Sequence, residues 1–171
     1  CLFADKVIVI SKTTLNKVRS IRNRDYKLIP NGAKIPIKSN SFSFLESFKI
    51  PPLNYILFVG RLDPEKGVDL LIKAFKSLKL PDVKLVIAGD CNYKSNYNYQ
   101  LDEAIGNDRR IIKTGYVTGD NLNQLFSNAS LFILPSYQEG LSIALLEAMS
   151  YGLSIIASDI PANLELCLPQ N

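Results

Sequence analysis

Short apolar runs alternate with longer segments of mixed polarity along most of the chain. The runs 6–10 (KVIVI), 54–59 (NYILFV), 83–88 (VKLVIA), 110–114 (RIIKT), 131–134 (LFIL) and 154–157 (SIIA) predict strands. Most are apolar almost throughout, as expected for parallel strands covered on both faces. Between them, apolar residues recur at three- and four-residue spacing. In 67–79 these are Val68, Leu71, Ile72, Phe75 and Leu78, which predicts a helix; 97–106 and 119–128 are weaker patterns of the same kind, 141–151 is strongly apolar, and 161–167 can start another. The alternation predicts an α/β fold with a doubly wound parallel sheet. The Ser- and Pro-rich stretch 36–53 breaks the pattern and reads as a linker. Residues 1–35 then close one unit, and 53–171 form the main domain.

Composition changes this picture little. The apolar fraction is 47% and the charged fraction 21% over 171 residues, ordinary for a soluble globular chain. There is no apolar run long enough to span a membrane and no secretory leader pattern. The first residue, Cys1, and the unclosed ending suggest a fragment of a longer protein. Cys1, Cys91 and Cys167 are far apart, and the chain has no histidine. A zinc site, a disulfide framework and every imidazole-dependent mechanism are thereby disfavoured, and reduced thiols in the cytoplasm are the plain reading. The sequon Asn128-Ala129-Ser130 reads as chance. Charge is uneven: residues 1–38 carry nine Lys/Arg against two Asp, the rest eleven Lys/Arg against fourteen Asp/Glu. The basic stretch from Lys12 to Lys27 is either a solvated helix face or a membrane-surface helix; it has few aromatic residues to stack on bases.

Ligands of open parallel sheets bind beyond the carboxyl ends of the strands, and four strand exits here carry unusual residues. The first is Gly60-Arg61-Leu62-Asp63-Pro64-Glu65-Lys66-Gly67. Gly60 permits close backbone approach, Arg61 can grip a phosphate, and Lys66 adds a point charge before a helix; a plain charged loop is the alternative. Neither GxGxxG nor a P-loop is present. The second exit is Gly89-Asp90 and the third Gly115-Tyr116-Val117, where main chain can meet a planar base. Tyr93, Tyr97 and Tyr99 can stack on a base or simply lie in an exposed loop. The fourth exit, Pro135 to Gly140, runs into the apolar helix. The amides of Gly140, Leu141 and Ser142 are then an anion site at a positive helix end. Glu139 precedes them and Glu147 lies inside the helix, eight residues on. A buried carboxylate is costly unless answered. The two can bracket a phosphate and accept from hydroxyls on either side of it, as in a nucleotide sugar; alternatively Glu147 is a surface or ion-paired residue and Glu139 a partner of the helix dipole.

The ordered set of motifs resembles a known family. Glu139-x7-Glu147 within LPSYQEGLSIALLEAMSYGLSIIASD is similar to the EX7E motif of family 4 retaining GT-B glycosyltransferases. ILFVGRLDPEKGVDLLIKAF resembles that family's phosphate-binding segment. LVIAGD, TGYV and LNQLFSNASLFILPS fit its next strands, and ADKVIVIS with LIPNGAKI resembles the end of its N-terminal domain. The resemblance implies a Rossmann-like, C-terminal half of a GT-B fold: 1–35 the tail of the acceptor domain, 36–52 a linker, and 53–171 the nucleotide-sugar-binding domain. It also implies roles. Arg61 and Lys66 hold the donor diphosphate and stabilise its departure; Glu139 holds sugar hydroxyls, with Gly140, Leu141 and Ser142 at the sugar or phosphate; Glu147 binds ribose; Gly60 lets the donor close, and Val117 faces the base. Neither metal nor cofactor is expected. The partners implied are a nucleotide-sugar donor and a saccharide or glycolipid acceptor, with no nucleic acid, in the cytoplasm or peripherally at the inner face of a membrane. A GT-B phosphorylase, a nucleotide-sugar epimerase and a non-catalytic nucleotide-binding module are the alternatives. Cys91 stands where such families often have a second glycine after Gly-Asp.

Overall fold

The computed structural model describes residues 4–22, 24–91 and 96–167. Tyr93 of the Asn/Tyr-rich stretch, and Cys1, lie outside the described residues. The described residues form two parallel sheets. The small one pairs β1 (Val7–Val9) with β2 (Tyr26–Leu28) across α1 (Lys12–Ile21). The large one contains β3 (Tyr55–Val59), β4 (Lys84–Ala88), β5 (Ile111–Gly115), β6 (Leu131–Leu134) and β7 (Ser154–Ala157), in the order β5-β4-β3-β6-β7. All four pairings in it are parallel. The helices are α3 (Val68–Ser77), α4 (Asn96–Ile105), α5 (Gly119–Asn128), α6 (Ile143–Ser150) and α7 (Pro161–Cys167).

The order explains itself through handedness. Right-handed crossovers carry β3, β4 and β5 outward in one direction; the chain then returns to place β6 on the other side of β3 and continues to β7. Connections therefore leave β3 and β6 towards opposite faces, and a crevice opens between their carboxyl ends. The central strands are buried as the apolar runs require: Tyr55, Leu57, Phe58, Leu85, Val86 and Ile87 are fully enclosed. Helix α3 buries Val68, Leu71, Ile72 and Phe75 of its apolar stripe; Leu78, the fifth residue of the predicted stripe, is the C-cap and is exposed. On the other side Phe126 of α5 stacks on Tyr151 behind α6, with ring centroids 5.1 Å apart. The one polar group deep in the central strand, the Tyr55 hydroxyl, donates to the Leu125 carbonyl at 2.6 Å.

Three features depart from the sequence reading. The stretch 36–52 contains α2 (Ser43–Ser47), and Leu45 and Ile50 join the core of the main domain. Ser and Pro obscured two apolar residues that tertiary packing recruits. Leu45→Ala is expected to cost about 3 kcal/mol in urea unfolding, the size of a core deletion and not of a linker change. Second, α6 is apolar in sequence but buries only Leu145 and Ala148; Ile143 and Met149 are exposed. Third, α6 begins at Ile143, not Leu141. Ser142 is its N-cap, and its hydroxyl accepts from the Leu145 amide at 3.3 Å. The basic stretch forms α1, which buries no residue. No helix among the described residues is long and apolar enough to cross a membrane.

Candidate functional site

Close backbone contacts build the floor of the crevice. Gly60 donates to the Ala88 carbonyl at 3.0 Å, and Gly89 donates to the Gly115 carbonyl at 2.8 Å. A Cβ on Gly89 would stand 1.8 Å from the Gly60 oxygen. Only a residue without a side chain lets these strand ends meet. Gly67 is the equivalent point between the loops after β3 and β6. Its φ is +64°, a Cβ there would fall 2.5 Å from the Pro135 oxygen, and the neighbouring Tyr137 amide donates to the Glu65 carbonyl at 2.8 Å. The motif glycines are thus steric devices that bring three strand exits together.

Over the ends of β3, β4 and β5 lies an open cavity of about 550 Å³, lined by Gly60, Arg61, Gly89, Asp90, Cys91, Tyr116 and Val117. Three of the sequence-predicted residues, Gly60, Arg61 and Val117, meet here. Arg61 is over half exposed and pairs with Asp63 at 2.9 Å and Glu65 at 3.4 Å. Such solvent-exposed pairs are weak, so the guanidinium can be redirected at small cost. The sequence named Cys91 and Tyr116 at separate strand exits and assigned neither a role. Only strand order brings them beside Arg61. The Cys91 thiol donates to the Leu62 carbonyl at 3.2 Å, an anchoring contact for the loop.

Beside that cavity, at the β3–β6 crevice, Lys66 Nζ donates to both carboxylate oxygens of Glu139, each at 2.9 Å. The Ser136 hydroxyl adds a third bond to Glu139 Oε1 at 2.7 Å. Both charged side chains are largely enclosed, 13% and 8% exposed. Residues 73 apart in sequence thus form one cluster. Lys66 ends a short 3-10 turn, Pro64–Lys66, whose left-handed Gly67 hands the chain to α3. Gly140 adjoins the small N-terminal sheet, since a Cβ there would lie 3.8 Å from Ile10 Cδ1. Leu141 is buried.

Glu147 is turned to different surroundings. It lines a second open cavity of about 590 Å³ with Asn123, Ile143, Tyr151 and the strap Gly32–Ile37. Asn123 holds that strap by donating to the Ile37 carbonyl at 3.0 Å, and the Tyr151 hydroxyl donates to Asn123 at 3.0 Å. Glu139 lines neither this cavity nor the one beside Arg61. Half-burial pushes the Glu147 carboxyl pKa up. A carboxyl raised on folding holds its proton more tightly when folded. The stability it contributes is greatest below its unfolded pKa and falls as pH rises through the folded one. Glu147→Gln is therefore expected to raise the thermal midpoint at pH 7.5 by roughly 1–3 °C, with the gain shrinking on acidification, as followed by circular dichroism. No group of three or more His, Cys, Asp or Glu among the described residues could hold a metal ion.

Residues 43–169 match the family model of glycosyl transferases group 1. The chain belongs to that family. It is 33% identical over 172 residues to an uncharacterized glycosyltransferase of Methanocaldococcus jannaschii, covering 94% of this chain and 44% of that one. It is 28% identical over 119 residues to the O-antigen chain mannosyltransferase B of Escherichia coli, 68% of this chain and 31% of the relative. The chain thus spans less than half the length of either relative. Among solved structures, Anabaena HepE in complex with UDP-glucose superposes with a TM-score of 0.83 at 23% identity, over 98% of this chain and 48% of that one. WaaG, a glycosyltransferase involved in lipopolysaccharide biosynthesis, gives 0.74 at 22% identity, over 91% and 44%. The architecture is therefore that of half a GT-B glycosyltransferase, as the ordered motifs implied.

Proposed function

We propose that this chain is the donor-binding half of a glycosyltransferase that moves a sugar from a nucleoside-diphosphate sugar, a UDP-sugar foremost, to a saccharide or lipid acceptor with retention of configuration. The observation that carries the reading is the arrangement at one crevice: a glycine-floored cavity with Arg61 at its rim, directly beside the enclosed Lys66–Glu139–Ser136 cluster. HepE, solved with UDP-glucose and, separately, with UDP and glucose, shares the fold and supports a UDP donor.

The chemistry follows from charge. Departure of a nucleoside diphosphate builds negative charge on its outer phosphate, which preorganised cations stabilise most when water is excluded. Lys66 is enclosed and pre-aimed; Arg61 is exposed and free to swing onto the diphosphate. The N-terminus of α6, which begins at Ile143 just after Gly140, Leu141 and the N-cap Ser142, adds its partial positive charge. Glu139 has two roles in this scheme: it holds Lys66 in place, and it accepts hydrogen bonds from sugar hydroxyls. Main chain at Val117 faces the base, Gly60 allows close approach of the donor, and Glu147 takes ribose hydroxyls. The transfer needs neither metal nor cofactor, since side-chain cations answer the phosphate charge. Transfer itself requires the acceptor-binding half, which in the full-length protein makes any peripheral membrane contact in the cytoplasm.

Calorimetric titration with UDP, GDP and ADP tests this. UDP is expected to bind, and Arg61→Ala to weaken it about tenfold, the worth of one charge-assisted phosphate contact. Absence of binding by all three nucleotides would overturn the donor reading.

A further inference from the structure

Helix α7 carries none of the residues assigned above, yet it is bonded at two points to parts of the molecule that matter. At its C-terminal end Glu165 reaches back to the start of α1. Its carboxylate accepts from the Lys12 amide at 2.7 Å, the Thr13 amide at 3.1 Å and the Thr13 hydroxyl at 3.2 Å. The Ser11 hydroxyl takes the next amide, that of Thr14, at 3.0 Å. The first turn of α1 is thus completed by its own cap and by a carboxylate from a helix more than 150 residues away.

Two residues earlier, Asn163 is 1% exposed. Its Nδ2 donates to the Ser158 carbonyl at 3.0 Å and the Ser158 hydroxyl oxygen at 3.1 Å, while its Oδ1 is buried with no partner among the described residues. An unsatisfied buried acceptor is costly, so the donor side of this amide is what holds it there. The Ser158 hydroxyl donates in turn to the Ser136 carbonyl at 2.5 Å. The Ser136 hydroxyl donates to Glu139 Oε1, the oxygen that also accepts from Lys66. Two sets of hydrogen bonds, joined through the backbone of α7 between Asn163 and Glu165, therefore link the first turn of α1 to the Lys66–Glu139 pair.

We infer that α7 is a coupling strut, with Glu165 and Asn163 as positioning residues that tie docking of the N-terminal segment to the geometry of the Lys66–Glu139 cluster. With Glu165 seated on α1, α7 is fixed; Asn163 then pins Ser158, and Ser158 pins the loop that carries Ser136 and Glu139. Release of α1 frees α7 and loosens that loop. The coupling is reciprocal, as any equilibrium coupling is. It requires no particular ligand, so it stands or falls apart from the donor reading.

Hydrogen exchange on the ligand-free chain reads both ends. Glu165→Ala is expected to raise exchange of the Lys12, Thr13 and Thr14 amides tenfold or more. It is also expected to raise that of the Tyr137 amide, which is bonded to Glu65, at least threefold, with Leu57 and Val86 in the core strands unchanged. Asn163→Ala is expected to raise the same α1 amides as well as Tyr137. Effects confined to the mutated end in each variant would overturn the coupling and leave a local cap. If Glu165→Ala loosens the core strands, Glu165→Gln, which keeps one acceptor, is read by the same criteria. Loosened core strands in that variant too would overturn the proposal, because α7 would then be holding the whole fold.

Discussion

Gly89→Ala is expected to cost more than about 5 kcal/mol, or to prevent folding of the main domain, in urea unfolding followed by circular dichroism. The added Cβ would stand 1.8 Å from the Gly60 carbonyl oxygen. Neither backbone can retreat, because Gly60 is bonded to Ala88 and Gly89 to Gly115 across the ends of three strands. The residue also sits at φ +152°, which side-chain-bearing residues rarely adopt. Gly115→Ala is the control. Gly115 also has positive φ, but nothing lies within 4 Å of its Cβ position. It is expected to show only the backbone strain of about 1–2 kcal/mol. Equal costs at the two glycines would mean that the close approach of β3 and β4 exits is not what requires Gly89.

Lys66→Met is the second large effect. It leaves Glu139, 8% exposed, with the Ser136 hydroxyl as its remaining side-chain partner among the described residues. Removing one member of an enclosed pair strands the other charge, at about 3–5 kcal/mol. Lys66→Met combined with Glu139→Gln is expected to recover most of that loss, since no uncompensated charge remains and methionine fills the lysine stem's volume. If the single variant unfolds within about 1 kcal/mol of the parent, the cluster is wetter than its geometry indicates. The same two variants separate structure from chemistry. The double variant is expected to fold yet bind UDP at least tenfold more weakly, because stability is restored while the cation is not.

The parts of this protein written in local pattern were legible beforehand. All five strands of the large sheet lie where apolar runs place them, within a residue at either end; the central ones are apolar because both their faces are covered, while the edge strand β5 admits Lys113 and Thr114. The stripe of α3 needed nothing beyond period 3.6. What misled was composition without contact. Ser and Pro around residues 36–52 signalled irregular chain, while two side chains, Leu45 and Ile50, sufficed to bind it into the core. In α6, apolarity overstated burial, because only Leu145 and Ala148 are fully covered. Glu147 lies where cover is partial, which is how a carboxylate is tolerated in that helix.

For the site, sequence singled out the residue types and their strand exits, and the ordered motifs pointed to the family. It could not say that Arg61 meets Tyr116 and Cys91, that Lys66 closes on Glu139, or that Glu147 opens on the Gly32–Ile37 strap. The first two contacts join loops that follow different strands of the large sheet, made neighbours by the order β5-β4-β3-β6-β7, and the third joins α6 to the chain that follows β2. By itself, then, the sequence determined the elements, their parallel class and the chemistry available at each strand exit, because periodicity and residue type act over a few neighbours. The tertiary structure alone decided which exits share a crevice and which carboxylate is answered by a cation, because those depend on crossover handedness and on packing between residues of different strand exits, Lys66 and Glu139 being 73 positions apart.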